Sequence, residues 1–153
     1  MLRAWAGVAL WIGMIFFFSG GSFSAEVTRS GIGPLARLLG LDYETLVMIH
    51  FFIRKAAHVL EYAALGYLAL RAAALSLGRL SGVAFALLLG LLVAGADEIY
   101  QAKVTGRTGT PRDVALDFAG AGLGVAVRAR RKTRSSGPLG RPTVWRSEEG
   151  GAR

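Results

Sequence analysis

The sequence predicts an all-α membrane protein, an antiparallel bundle of four transmembrane helices followed by a disordered basic C-terminal tail. Three observations carry this. The chain is 53% apolar with a mean hydropathy of +0.45, too high for an ordinary soluble domain and suited to a small polytopic membrane protein. Its apolar residues gather in four segments. Its basic residues gather mostly outside those segments, on one side of the predicted topology.

The first segment, Leu2 to Phe18, is almost continuously apolar, with Arg3 near its start. Arg3, the apolar run and Ser22-Phe23-Ser24 share features with a cleaved signal peptide. The run is as long as a span, however, so a retained helix is expected. A loop from Gly20 to Met48 follows, punctuated by Gly20-Gly21, Gly31 and Gly33-Pro34. Within it, Pro34 to Leu41 is a short apolar patch suited to an interfacial helical turn. The second segment, His50 to Leu70, carries charge. The third, Ser81 to Gln101, is apolar until Asp97. The fourth, Asp113 to Val127, is rich in Gly, Ala and Val. It is short of the roughly 20 residues that cross a bilayer core, so its flanks must extend it or the bilayer must thin. Before it, Thr110 suits an N-cap, Pro111 the first helical position and Asp113 the first turn. Residues 1–128 are thus expected to form the membrane domain. Residues 129–153, with Gly, Pro, Ser and Arg and few apolar residues, are expected to form a disordered cytoplasmic tail.

The net charge of +8 does not signal nucleic-acid binding. Arg128, Arg130, Arg131, Lys132, Arg134, Arg141, Arg146 and Arg153 all follow the last apolar segment, as cytoplasmic anchors do. Counted by loop, eleven Lys and Arg fall on the side of the termini and five on the other. The positive-inside rule then puts both termini in the cytoplasm of a bacterial inner membrane. There is no cysteine, which excludes disulfides and thiolate zinc sites.

Candidate functional residues lie near the outward ends of spans two, three and four. Lys55, His58, Glu61, Tyr62 and Leu65 share one helical face, with Arg54 at its edge. Ionisable groups in hydrocarbon are costly and persist where they pair, line a cavity or do chemistry. His58 fits a general base, with Glu61 as its orienting partner or an acid. The competing reading is an intramembrane ladder of ion pairs. Asp97 and Gln101 lie four apart and point inward, whereas Glu98 beside them reads as a solvated helix end. Gly106-Arg107-Thr108-Gly109 can present backbone N–H groups to an anion, with Arg107 and Arg112 as clamps, or can be a simple turn. Asp113, Asp117, Gly120 and Gly124 follow one face, and the two glycines permit close helix approach. His58, Glu61, Asp97, Asp113 and Asp117 are potential ligands of a divalent ion. Arg54, Lys55, Arg107 and Arg112 nearly neutralise them, so no metal or other cofactor is expected. His50 is expected to have no role.

These residues carry a resemblance. Arg54-Lys55, His58, Glu61-Tyr62 and Leu65-Gly66, then Asp97-Glu98, Tyr100-Gln101, then Gly106-Arg107-Thr108-Gly109, then Asp113, Asp117 and Gly120 resemble the pattern of the VanZ-like family. Met14 to Ser19 is similar to that pattern's start, which supports a retained first helix. Tyr100 stands where the family often has histidine or phenylalanine, and the residues before Arg107 lack a frequent proline. The missing histidine weighs further against a metal. The resemblance implies a multi-pass bacterial inner-membrane protein of the cell envelope. The family's namesake is linked to lowered sensitivity to the glycopeptide teicoplanin.

Two functions fit. One is an envelope protein that binds an anionic or lipid-linked headgroup at Lys55, His58, Glu61, Asp97, Gln101, Arg107, Arg112, Asp113 and Asp117. Its partner would be a membrane lipid or a lipid-linked envelope precursor. The other is an intramembrane hydrolase or transferase acting on a lipid phosphate. There His58 would be base, Glu61 and Asp97 its orienting groups, and Arg107 the stabiliser of phosphate charge. The stripe holds no serine or cysteine, which disfavours a covalent enzyme.

Overall fold

The computed structural model describes residues 1–20, 34, 37–40, 42–104 and 109–134. Among these the chain is helical, with no strand. Four helices dominate: α1 (Leu2–Ser19), α2 (Tyr43–Ala73), α3 (Arg79–Gln101) and α4 (Pro111–Arg134). In the first loop, residues 37–39 are also helical and Gly40, at φ +64°, ends that turn. A side chain at Gly40 would be strained.

α2 begins seven residues before the expected His50. The reason is a cap. The Asp42 carboxylate accepts from the Thr45 backbone N–H at 2.8 Å and from the Thr45 hydroxyl at 2.6 Å. Those bonds, the hydroxyl's foremost, hold the Asp42 carboxyl below the ordinary carboxylate range. At the other end of the chain α4 also outruns its apolar segment. It continues to Arg134, so the first residues of the expected tail are helical. Residues 135–153 lie outside the described residues.

Each helix runs opposite to the one before it. Trp11 Nε1 donates to the Glu61 carbonyl at 2.8 Å and ties α1 to α2. Gly82 sits against Leu70 while Gln101 meets Arg54, which sets α3 against α2. Gly90 meets Ala121 while Glu98 meets Thr110, which sets α4 against α3. α1 packs on α2 and α3, and both of those pack on α4. It follows that α2 and α4 run parallel.

That pair makes the closest approach in the bundle. A Cβ at Gly124 would lie 1.8 Å from the Ala63 carbonyl oxygen, and one at Gly120 would lie 2.6 Å from that of Val59. From the opposite side, a Cβ at Gly66 would lie 2.1 Å from the Ala121 oxygen. Glycine here lets backbone meet backbone.

Burial departs from that of a soluble bundle in two respects, an apolar exterior and a buried polar group at one end. The core holds Val8, Ile15, Tyr62, Leu65, Val93 and Ala94, but also Ser19, Asp97, Glu98, Gln101 and Asp117. The outer faces carry Leu2, Leu10, Phe51, Phe52, Ile53, Leu60, Leu80, Leu92 and Ile99. α1 and α3 are long and apolar enough to cross a membrane. α2 and α4 carry more charge, because their ionisable residues form the polar interior and the ends.

Gly124→Ala should disrupt the bundle, because the new methyl meets backbone that cannot yield. Overpacking of this kind costs about 1–3 kcal/mol or more. Gly122→Ala should be tolerated, since nothing lies within 4 Å of its Cβ position. Thermal unfolding of the detergent-purified variants measures the contrast. Equal midpoints would show that the close approach is not needed.

Candidate functional site

The polar residues of all four helices meet at one end of the bundle, where α1 and α3 finish and α4 begins. Asp97, fully buried on α3, is the centre. Its Oδ2 accepts from the Ser19 hydroxyl of α1 at 2.9 Å and from Gln101 Nε2 at 2.8 Å. The four-residue spacing of Asp97 and Gln101 makes the second bond possible within one helix face. The inward direction expected for both is what the fold has.

Opposite Asp97 stand α2 and α4. Lys55 forms a charge-assisted hydrogen bond to Asp113 Oδ1. One turn deeper, His58 Nδ1 lies 3.7 Å from Asp117 Oδ2. The pairings repeat with the register of two parallel helices: 55 with 113, 58 with 117. Donor atoms of His58, Asp97 and Asp117 all lie within 4.8 Å of one another. The Tyr62 hydroxyl is buried beside Asp97. Glu61 is half-buried within electrostatic reach of His58, although Lys55 turns to Asp113.

Above this cluster Arg54 Nη2 donates to Gln101 Oε1 at 3.4 Å. Arg54, Lys55, His58, Glu98, Gln101, Asp113 and Asp117 line a small pocket of about 10 Å³, room for about one water. Arg54 pairs with the neutral Gln101 amide and meets no carboxylate among the described residues. No serine or cysteine lines that pocket, and the Ser19 hydroxyl nearby already donates to Asp97.

Three sequence expectations change. Glu98 is no solvated helix end. It is 6% exposed, and its carboxylate accepts from the Thr110 backbone N–H at 2.7 Å. That bond joins the end of α3 to the start of α4. Gly109 fits there because a Cβ would lie 2.3 Å from the Glu98 carbonyl oxygen. Arg112 is exposed at the start of α4 and does not line the pocket. Third, Arg54 belongs inside the cluster rather than at its edge. Arg107 lies outside the described residues. The N-cap expected at Thr110 is present, its hydroxyl accepting from Asp113 N–H at 3.3 Å. Ser19 went unread as a site residue. Its sequence signals are its place at the end of the first apolar run and in the Met14 to Ser19 stretch that resembles the family pattern.

The chain matches the model of the VanZ/LLP1 family over residues 4–129. It belongs to that family, and this membership with its two long apolar helices supports a membrane protein. No curated protein and no solved structure matches it.

Glu98→Ala should loosen the α3–α4 junction by leaving the Thr110 N–H without its acceptor. A buried donor so stranded costs about 1–3 kcal/mol. Glu98→Gln retains an acceptor and should recover most of that. Limited proteolysis between α3 and α4 reads the effect. Cleavage no faster in Glu98→Ala than in the unaltered protein would remove the clamp.

Proposed function

We propose that the chain is a four-span protein of the bacterial cell envelope whose outward-facing polar cluster binds an anionic, lipid-linked headgroup. The observation that carries this is the distribution of polarity. Apolar side chains cover the outside of the helices, while Asp97, Glu98, Gln101 and Asp117 are buried at one end. Only a surrounding of lipid makes that distribution favourable on both sides. α2 and α4 are then spans despite their charge, because those charges face the bundle interior. The Lys and Arg bias of the sequence puts both termini in the cytoplasm, and so the cluster on the outer side. Reporter fusions at Gly109 and after Arg134 test this orientation. An extracytoplasmic signal at Gly109 and a cytoplasmic one after Arg134 are expected, and the reverse would overturn the outward-facing site.

The headgroup reading rests on Arg54. Lys55 is occupied by Asp113, whereas Arg54 bonds a neutral amide. A guanidinium in that position favours phosphate. Arg107, flanked in sequence by Gly106 and Gly109, is the expected second contact. The pocket has room for about one water, so a headgroup would be met at its mouth by Arg54 rather than inside it. The family context suggests an effect on teicoplanin sensitivity.

Arg54→Ala should weaken binding of an anionic phospholipid by about ten- to hundredfold, the loss of one charge-assisted contact. Arg54→Lys should fall between, since lysine keeps charge without the fork. Arg37→Ala, exposed and outside the cluster, should bind normally. Lipid titration of purified protein, with teicoplanin sensitivity at matched membrane levels, provides the measurement. Unchanged binding in Arg54→Ala would remove the headgroup reading.

A further inference from the structure

We infer that His58, Asp97 and Asp117 form a binding site for one divalent transition-metal ion, zinc being the first to test. The three residues come from α2, α3 and α4, and each offers a donor atom within 4.8 Å of the others. A zinc ion with bonds of about 2.0–2.2 Å needs donors about 3.4 Å apart. Small side-chain rotations close that difference.

The polar atoms themselves point to a ligand. Asp97 Oδ2 is held by Ser19 and Gln101, but its Oδ1 is buried with no hydrogen-bond partner. Asp117 Oδ2 is likewise buried and without a hydrogen-bond partner, 3.7 Å from His58 Nδ1. The Tyr62 hydroxyl, beside Asp97, also lacks one. Buried polar atoms without partners are rare in folded proteins. Two of them, on Asp97 and Asp117, belong to the carboxylates grouped with His58. A carboxylate with one oxygen fixed and the other free is how supporting residues orient a metal ligand.

Charge points the same way. From sequence, Arg54, Lys55, Arg107 and Arg112 are expected to neutralise the carboxylates, and Arg107 lies outside the described residues. In the fold Lys55 is on Asp113, Arg54 is on Gln101 and Arg112 is exposed. Among the described residues, Asp97 and Asp117 have His58 as their nearest basic group. A divalent ion with a neutral imidazole balances two carboxylates in a place where two bare charges are costly. One nitrogen and two oxygens suit zinc or manganese better than calcium or magnesium, which take oxygen ligands.

Three protein ligands leave a coordination position free. His58 and Asp117 share the small pocket with Arg54 and Lys55. That position would suit a phosphate oxygen, an extension that rests on the headgroup reading. The metal site itself does not rest on it.

The test uses full-length protein in detergent, stripped with a chelator and kept free of lipid phosphate. Calorimetric titration with zinc should give one ion per chain. Asp97→Asn and Asp117→Asn should weaken it at least about tenfold. His50→Gln should leave it unchanged. Cobalt should give the strong visible ligand-field bands of a low-coordinate nitrogen–oxygen site in the unaltered protein. That spectrum decides the matter if the Asn variants fail to fold. No stoichiometric zinc and no cobalt bands would overturn the proposal, as would binding that survives Asp117→Asn but disappears in His50→Gln. Because no lipid is present, failure here leaves the Arg54 lipid titration to stand or fall separately. A phosphate arm closes the experiment: inorganic phosphate tightened by zinc supports the extension, and phosphate indifferent to zinc removes it.

Discussion

The backbone contact between α2 and α4 is the constraint on which the site depends. Glycines at 66, 120 and 124 let two parallel helices approach until main chain meets main chain. In parallel helices at fixed offset, what is true of one turn is true of the next. Ala63 against Gly124 and Val59 against Gly120 therefore put His58 against Asp117 and Lys55 against Asp113. The same register carries Arg128 over the Tyr67 ring, 5.8 Å from its centroid, at the far end. The charged pairs and the apolar packing are one alignment seen at different depths.

α1 contributes less contact but completes the centre. Ser19 is the last residue of that helix, and its hydroxyl reaches the carboxylate of Asp97. The Trp11 indole donates to the Glu61 carbonyl two turns away, and Ile15 lies fully buried between them. These contacts hold Asp97 in one orientation. A carboxylate with its direction fixed by neighbours responds to a ligand without first being ordered, which lowers the entropic cost of binding.

Much of this was legible in the residues, and the exceptions have physical reasons. The apolar runs located α1 and α3. Thr110-Pro111 located the start of α4, and the spacing of Asp97 with Gln101 and of Gly120 with Gly124 gave their faces. Periodicity assigns a face but not a partner. The pairing of Lys55 with Asp113 is therefore not readable from spacing, because partner choice follows from the α2–α4 register. Glu98 was misread because its acceptor role depends on a backbone N–H across a loop. The start of α2 was misplaced because hydropathy marks where a helix enters apolar surroundings, whereas Asp42 marks where its hydrogen bonding begins.

The length of α2 has one more consequence. From Tyr43 to Arg54 the helix extends eleven residues beyond the polar cluster, about 16 Å at 1.5 Å per residue. α1 and α3 end level with that cluster. Among the described helices the site thus has a tall wall on one flank and low walls on the others. Under the proposed membrane placement, a molecule sliding within the plane of a leaflet would meet a barrier from one bearing and a threshold from the rest. Phe51, Phe52 and Ile53 sit exposed on that wall, and Phe51 shares a face with Lys55, whose ammonium lies 5.6 Å from the Phe51 ring centroid. On the headgroup proposal, a long-tailed, acid-headed molecule would meet apolar surface and guanidinium on neighbouring turns of one helix.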